Sequence, residues 1–376
     1  MPLGPSYVSK MDPDIHNLTL ATERTILSDS NHNDSSSSPP APSAPVTHGL
    51  DIADVWQFVL NSRQLDRFTQ SEFLPAATVY GIGEGASYRV DKCELSHDKG
   101  RVVAVKYLKV TEQGPSNAES DESNISIATV LRELRILTHD PIRNSPNIVR
   151  LLGYGSRSVG EQLSLYLVAE FATFGTLRDY LTKQPNGAVS ITEKIKFSHD
   201  LANGVAVLHS CGVVQGDLKL ENTLVFTSDS GELLVKLSDF GHSILDDKSR
   251  YIGTAIFNAP EVRRGCLSST ARVDHYRCDI LSYGLMVWEI IQDGRRYVDF
   301  TKLKDPLVWL NELPKDDLLL KALLATQDLL PADASKIVFF QSVLEYTLKD
   351  NPNDRRAIDG VMKLFNSERP FVSAER

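Results

Sequence analysis

The spacing of hydrophobic positions changes along the chain and divides it into an amino-terminal tail and a folded body. Residues 28–48 are dominated by Ser, Pro, Asn and Asp and hold almost nothing to bury, which predicts disorder. We therefore expect residues 1–50 to form a disordered tail. From Asp51 onward apolar side chains recur at helical spacing, and this pattern predicts an N-terminal helix over 51–69 that packs on the folded body.

The next part of the chain reads as short strands and one helix. Runs typical of β-strands occur at 77–81, 88–94 and 101–109, and each is bounded by Gly, Asp or Ser. They predict a small antiparallel sheet. Residues 111–124 are acidic and rich in Ser, so they predict a loop, and a helix follows at about 125–138.

After Leu177 the apolar spacing becomes mostly helical. The whole pattern therefore indicates an α+β protein with a sheet-rich lobe followed by a larger helix-rich lobe. The chain has 376 residues, of which 41% are hydrophobic and 24% charged, and this composition is ordinary for a globular protein that can bury a core.

Charge and apolar content exclude several classes of protein. The formal net charge of −9 disfavours binding to nucleic acids and anionic membranes. No apolar run approaches the roughly 18 residues of a membrane span, and the start does not resemble a secretory signal. The four cysteines lie far apart and match neither a zinc site nor a disulfide framework. We expect a soluble protein of the cytoplasm, with a nuclear location left open.

A polar loop between two apolar runs raises the question of chemistry. Residues 213–226, VVQGDLKLENTLVF, place Asp217, Lys219 and Asn222 close together. One interpretation is an ordinary polar turn, since Asp, Asn and Gly favour turns. The other is a site for handling phosphate, because an acid, a cation and a carboxamide could accept a proton, meet a phosphate and hold a metal ion. This loop alone does not decide between them.

Two further stretches allow the same two interpretations. Gly83 and Gly85 in IGEGASYRV could let backbone N–H groups approach a phosphate, although a plain hairpin turn is the commoner explanation. In VVAVKYLKV, Lys106 shares one strand face with apolar neighbours and needs a partner if that face is buried. Glu133, in the following helix, is a candidate partner for this lysine.

The order of these motifs resembles the eukaryotic protein kinase family. A Gly-rich turn, Val-Ala-Val-Lys, a helix Glu, Asp-x-Lys-x-x-Asn, Asp-Phe-Gly and Ala-Pro-Glu follow one another from about residue 70 to 366. The resemblance, to the serine/threonine or tyrosine-kinase-like branches, implies a two-lobed kinase domain over 70–368. Its N-lobe, about 70–171, would be a small antiparallel β-sheet with one main helix, and its C-lobe, about 172–368, would be mainly helical.

What the resemblance implies for the site is specific. It implies ATP and Mg²⁺ as cofactors and a protein substrate bearing Ser or Thr, with Asp217 as the catalytic base and Lys219 beside the transferring phosphate. Asn222 and Asp239 would hold the metal. The residues that the resemblance places around the cofactor are Gly83, Gly85, Val90, Ala104, Lys106, Glu133, Glu170, Ala172, Asn222 and Asp239. Ala169 takes the position behind adenine.

Several departures from the family pattern concern regulation. The usual His-Arg-Asp reads Gln215-Gly216-Asp217, and Tyr88 replaces the third glycine of the phosphate loop. Arg355 is expected to pair with Glu261. An active serine/threonine kinase is the first hypothesis, and a pseudokinase acting as a nucleotide-binding or scaffold module is the alternative. A small-molecule kinase is more distant. Control is expected from the tail, the acidic insert or a regulatory protein partner.

Overall fold

A computed structural model of the chain describes residues 51–84, 88–108, 121–159, 162–184, 189–228, 230–246, 249–264, 273–329 and 334–368. The predicted tail 1–50, Gly85 and residues 111–120 of the predicted acidic loop lie outside the described residues. Among the helices in this part of the chain, none combines the length and the apolar character that crossing a membrane requires.

The amino-terminal region is built on one six-stranded sheet. Its strands are β1 (Asp66–Phe68), β2 (Val79–Glu84), β3 (Tyr88–Glu94), β4 (Val102–Leu108), β5 (Leu151–Val159) and β6 (Gln162–Glu170). Their spatial order is β1-β5-β6-β4-β3-β2. The sheet is antiparallel as predicted except at one edge, where β1 runs parallel to β5. Since β1 has only three residues, no alternation marks it in the sequence.

Two helices pack on this sheet, and both differ in length from the expectation. Helix α1 (Ile52–Asn61) begins in a capping box formed by Asp51 and Asp54. It ends well before residue 69, because Ser62 is extended and the chain continues into β1. Helix α2 (Asp121–Thr138) takes in the last residues of the predicted loop 111–124.

The carboxyl-terminal region is mainly helical, so the predicted α+β architecture, a sheet-rich lobe followed by a larger helix-rich lobe, is confirmed. After the short α3 (Asp140–Arg143), its elements are α4 (Leu177–Thr182), α5 (Ile191–Ser210), the hairpin β7 (Thr223–Thr227) and β8 (Leu233–Leu237), α6 (Pro260–Arg263), α7 (His275–Ile291), α8 (Pro306–Glu312), α9 (Asp317–Leu329), α10 (Ala334–Thr347) and α11 (Ile358–Glu368). Helix α7 is buried along nearly its whole length and forms the centre of this lobe.

The two faces of the sheet contribute to different cores. Val103, Val105 and Tyr107 of β4 are buried in a small cluster on the outer face, together with aromatic side chains from the amino-terminal segment and from β6. Lys106 and Leu108 point to the opposite face, which looks toward α2 and the helical lobe. The alternation predicted for this strand is therefore confirmed.

Two glycines of β5 admit the edge strand β1. Gly153 lies opposite Asp66, and Gly155 lies opposite Phe68. A Cβ on Gly153 would lie 2.1 Å from the Asp66 carbonyl oxygen, and one on Gly155 would lie 2.3 Å from that of Phe68. The Phe68 carbonyl also accepts a hydrogen bond from the hydroxyl of Tyr166 at 3.0 Å. The amino-terminal segment is thus fitted closely to the sheet.

Candidate active site

An ion pair joins strand β4 of the sheet to helix α2. The Lys106 Nζ lies 2.5 Å from the Glu133 Oε1, and Glu133 is only 2% exposed. The predicted partner of the strand lysine is therefore confirmed. A buried carboxylate needs a hydrogen-bonded cation, so each of the two side chains fixes the other.

The loop between α5 and β7 brings the predicted polar trio together. Asp217 is 5% exposed, and its Oδ2 accepts hydrogen bonds from Lys219 Nζ at 2.7 Å and Asn222 Nδ2 at 2.8 Å. Its Oδ1 accepts a hydrogen bond from Thr254 Oγ1 at 2.7 Å. Lys219 Nζ also lies 2.8 Å from Thr254 Oγ1. The carboxylate is therefore held by three donors, one of them cationic.

Gln215 connects this loop to the segment that carries Asp239. It is fully buried, its Oε1 accepts the Asp217 N–H at 2.6 Å, and its Nε2 donates to the Asp239 carbonyl at 3.0 Å. Sequence reasoning treated this residue only as a departure from the family pattern. The structure shows that it links the backbone of both acids.

Gly216 occupies a position that admits no side chain. Its φ of +78° lies in the left-handed region. A Cβ there would also lie 2.3 Å from the carbonyl oxygen of His242. The missing arginine is thus accompanied by a backbone arrangement that requires glycine.

Asp279 anchors the whole loop from below. It is fully buried in α7 and accepts hydrogen bonds from the backbone N–H groups of Gln215 at 2.8 Å and Gly216 at 3.0 Å. Tyr251 OH donates to it at 3.0 Å, and His209 Nε2 lies 3.0 Å away. Sequence reasoning missed Asp279, although an acid at the start of the largely apolar DILSYGLMVWEI could have signalled it.

The residues present suit a hard divalent cation bound together with phosphates. Asp239 adopts a left-handed φ of +58°, and its side chain is exposed beside the cleft. The amide nitrogen of Asn222 is used by Asp217, which leaves its oxygen out of those contacts. Mg²⁺ is commonly held by one or two protein groups plus substrate phosphates, so these two residues fit that ion.

Three more of the predicted site residues lie on neighbouring strands of the sheet: Val90 on β3, Ala104 on β4 and Glu170 on β6. Val90 lies directly opposite Lys106, and Ala104 lies opposite Ala169. Both oxygens of the Glu170 carboxylate accept hydrogen bonds from Lys236 Nζ at 2.7 Å. The Glu170 side chain is therefore engaged within the protein, and its backbone N–H donates to the Arg150 carbonyl at 3.1 Å.

The remaining members of the predicted set differ in how they are placed. Gly83 belongs to β2, where an added Cβ would make ordinary contact with Val90. Gly85 lies outside the described residues. Ala172 follows β6 and is nearly buried. Of the two glycines, the structure therefore describes only Gly83, at the end of β2.

Tyr88 is the first residue of β3. It is 7% exposed, and the Lys106 Nζ lies 4.6 Å from the centre of its ring. Burial raises the pKa of this tyrosine well above its ordinary value of 10.0, and the charges of Glu133 and Asp239 raise it further. The ring therefore sits among the ionic groups of the site.

Comparison with known proteins agrees with this geometry. The family model described as protein kinase domain matches residues 77–364, well over half of the chain. CBL-interacting serine/threonine-protein kinase 8 of Arabidopsis thaliana is 33% identical over 211 residues, which cover 53% of this chain and 44% of the relative. A serine/threonine/tyrosine-protein kinase of the same plant is 30% identical over 256 residues, which cover 64% of this chain and 59% of the relative. The chain thus spans about half the length of these relatives.

Proposed function

Because this chain belongs to the protein kinase domain family, we propose that it transfers the γ-phosphoryl group of ATP to a serine or threonine hydroxyl of a protein substrate. The name of CBL-interacting serine/threonine-protein kinase 8 supports serine/threonine specificity, whereas the other Arabidopsis relative is named a serine/threonine/tyrosine-protein kinase. The observation that carries the proposal is the carboxylate of Asp217, fixed by Lys219, Asn222 and Thr254.

Asp217 is suited to act as the base. Its two oxygens are held in place, so it can meet a substrate hydroxyl without reorganising at the moment of reaction. As that hydroxyl oxygen bonds to the γ-phosphorus, the bond from this phosphorus to the β-phosphate oxygen breaks, ADP leaves, and the hydroxyl proton passes to Asp217. Lys219, 2.7 Å from the same carboxylate, places a positive charge where the transferred group gains negative charge.

Lys106 and Glu133 would hold the other phosphates. Glu133 keeps the ammonium at one place in the cleft, and a fixed cation stabilises phosphate charge better than one that must first be ordered. Asn222 and Asp239 would hold Mg²⁺, which when bound offsets the negative charge of the phosphates. Val90, Ala104 and Ala172 would line the adenine end.

The Gln215 contacts favour an active enzyme. A scaffold needs no fixed base, yet a buried side chain here holds the Asp217 N–H and the Asp239 carbonyl together. The absent histidine and arginine therefore do not leave the base unsupported. One observation favours the pseudokinase alternative, namely the Tyr88 ring packed against Lys106.

The proposal extends to partners and location. We propose a protein substrate because residues 259–261, Ala-Pro-Glu, form the start of α6 and resemble the peptide-docking segment of the family. Regulation by a protein partner and a cytoplasmic location are predictions from sequence alone. Incubation of the purified protein with fractions of a cell extract and ATP labelled in its γ-phosphate would identify substrates.

Transfer of radiolabelled phosphate from ATP to a generic protein substrate tests the proposed activity. Asp217→Asn should lower the rate by about 10²–10⁴-fold, which is the usual contribution of a base, while ATP binding persists. Lys106→Met should lower it as well. Asp98→Asn, an exposed acid beyond β3, is the matched control and should leave the rate unchanged. Wild-type protein that binds ATP but transfers no phosphate would refute the enzyme and favour the scaffold.

A further inference from the structure

The side chain of Tyr88 projects to the inner face of the sheet, which packs against α2, and not to solvent. In an antiparallel pair, directly opposite residues share a face, and so do residues two apart on one strand. Val90 lies opposite Lys106, and Tyr88 lies opposite Leu108. All four side chains therefore project to the inner face of the sheet. Tyr88 belongs to the main core on that side, while its neighbour Arg89 lies on the outer face over the Tyr107 ring.

The Tyr88 ring lies where the ionic groups of the site converge. The Lys106 ammonium is 4.6 Å from the ring centre and 2.5 Å from Glu133 Oε1. Glu133 and Asp239 are both close enough to act on the Tyr88 hydroxyl by their charge. The negative face of the aromatic ring thus takes up the side of the cation that a phosphate would otherwise meet.

The ring is held by packing more than by polar contacts. Its hydroxyl lies beside the Glu133 carboxylate, but no described residue makes a hydrogen bond of good geometry with it. A buried hydroxyl without such a bond is a cost to the folded state, and it is removed when the ring moves toward water. Displacement of the Tyr88 side chain by another ligand of Lys106 would therefore remove this cost.

We propose that Tyr88 occupies the phosphate end of the nucleotide site and sets the affinity of the protein for the triphosphate without affecting adenine. This inference rests on the proposed function, because it takes Lys106 as the phosphate-binding cation. ATP can reach Lys106 only after the ring has moved away, whereas adenosine, which has no phosphate, does not compete with it. Apparent affinity falls by the fraction of molecules that are competent to bind, so a ring displaced in about one molecule in ten weakens ATP binding about tenfold.

Calorimetric titration of the full-length protein with ATP in Mg²⁺ buffer, and separately with adenosine, tests this proposal. Tyr88→Ala should bind ATP about tenfold more tightly than wild type and adenosine equally well. Tyr88→Phe, which keeps the ring and lacks the buried hydroxyl, should bind ATP no more tightly than wild type and adenosine equally well. Arg89→Ala removes the next side chain on the outer face and is the matched control. Thermal unfolding without ligand checks that each variant is folded.

The outcomes separate this proposal from the proposed function. Equal ATP affinity of wild type and Tyr88→Ala would overturn the role of Tyr88 and leave the kinase proposal standing. An equal gain for adenosine would also overturn it, because the ring would then obstruct the whole site. Failure of every variant to bind either ligand would refute both. Tyr88→Leu, which keeps an apolar side chain in the core, replaces Tyr88→Ala if that variant does not fold, and the same direction is expected.

Discussion

Arg355 and Glu261 form a two-point ion pair from which water is nearly excluded. Arg355 Nη1 lies 2.6 Å from Glu261 Oε1, and Nη2 lies 2.9 Å from Oε2. The guanidinium also donates to the carbonyls of Lys349 at 2.7 Å and Asp350 at 3.0 Å. The pairing expected from the sequence is confirmed. It ties α6, at the end of the segment that carries Thr254, to the loop before α11.

Arg355→Ala should therefore destabilise the protein strongly. Removal of one partner of a buried ion pair typically costs about 3–5 kcal/mol, because the other charge stays buried without compensation. Arg355→Lys should also lose stability, since an ammonium cannot bind both carboxylate oxygens in this geometry. Urea unfolding measures the loss. The adjacent exposed Arg356→Ala is the control, and a loss at Arg355 no larger than at Arg356 would contradict the expectation.

A second prediction concerns Gly216. An L-residue that replaces Gly216 at its φ of +78° costs about 1–2 kcal/mol of stability. A replacement of Gly231, at φ +84°, costs about the same. Only at Gly216 does the new Cβ also meet a carbonyl oxygen, whereas nothing lies within 4 Å at Gly231. Gly216→Ala should thus lose more free energy of unfolding than Gly231→Ala, and Gly216→Arg should not restore an arginine-dependent switch. Equal losses in the two alanine variants would show that the loop relaxes.

Replacement of Gln215 should impair both stability and activity. Gln215→Leu leaves the Asp217 N–H and the Asp239 carbonyl without their partner, and each unsatisfied buried group costs about 1–3 kcal/mol. Asp217 and Asp239, the base and a metal ligand in the proposed function, should then be positioned less well, so kcat should fall. Gln57→Leu, on the exposed face of α1, is the control. Steady-state kinetics would refute the linking role if kcat of Gln215→Leu equalled that of wild type.

Phosphorylation of the segment between Asp239 and Glu261 should not be the main activator. Ser243 is buried and donates to the Gln215 carbonyl at 3.0 Å, and Tyr251 is buried against Asp279. Phosphatase treatment and Ser249→Ala should leave activity unchanged. Tyr251→Phe should lower stability because it removes a buried hydrogen bond. A collapse of activity after phosphatase treatment together with a silent Tyr251→Phe would contradict this view.

The small residue Ala169 should govern access behind adenine. It is nearly buried and lies directly opposite Ala104, so two alanines face each other across β4 and β6. Adenine analogues with bulky apolar extensions should bind wild type, and Ala169→Phe should exclude them while retaining ATP. Competition binding with such an analogue measures the difference. Equal affinity of wild type and Ala169→Phe for the bulky analogue would contradict this prediction. Ala172→Ser, a small change at a nearby position, is the control.

Much of the site was predictable because its signals are local. The period of two in β4 put Lys106 on one face with apolar neighbours, and a lysine that needs a partner there made Glu133 of the following helix a candidate. The spacing of Asp217, Lys219 and Asn222 brought the three together for the same reason, since a loop of six residues cannot separate them far.

The contacts that the sequence did not predict join distant segments through the backbone. The acceptor of Gln215 Nε2 is a carbonyl 24 residues away, and every residue has a carbonyl. The inward turn of Tyr88 depends on the register of β3 against β4, which is set by a turn whose conformation no pattern specifies. Strand β1 was not predicted, because a strand of three residues is too short to show an alternation of apolar and polar side chains.

The close fit of β1 against Gly153 and Gly155 bears on how the protein can be shortened. The family match begins at residue 77, but a chain cut there would lose β1 and α1. The backbone edge of β5 would then be bare beside two glycines that have no side chains to shield it, and such an edge invites pairing with other molecules. A well-behaved shortened protein must therefore begin at or before Asp51.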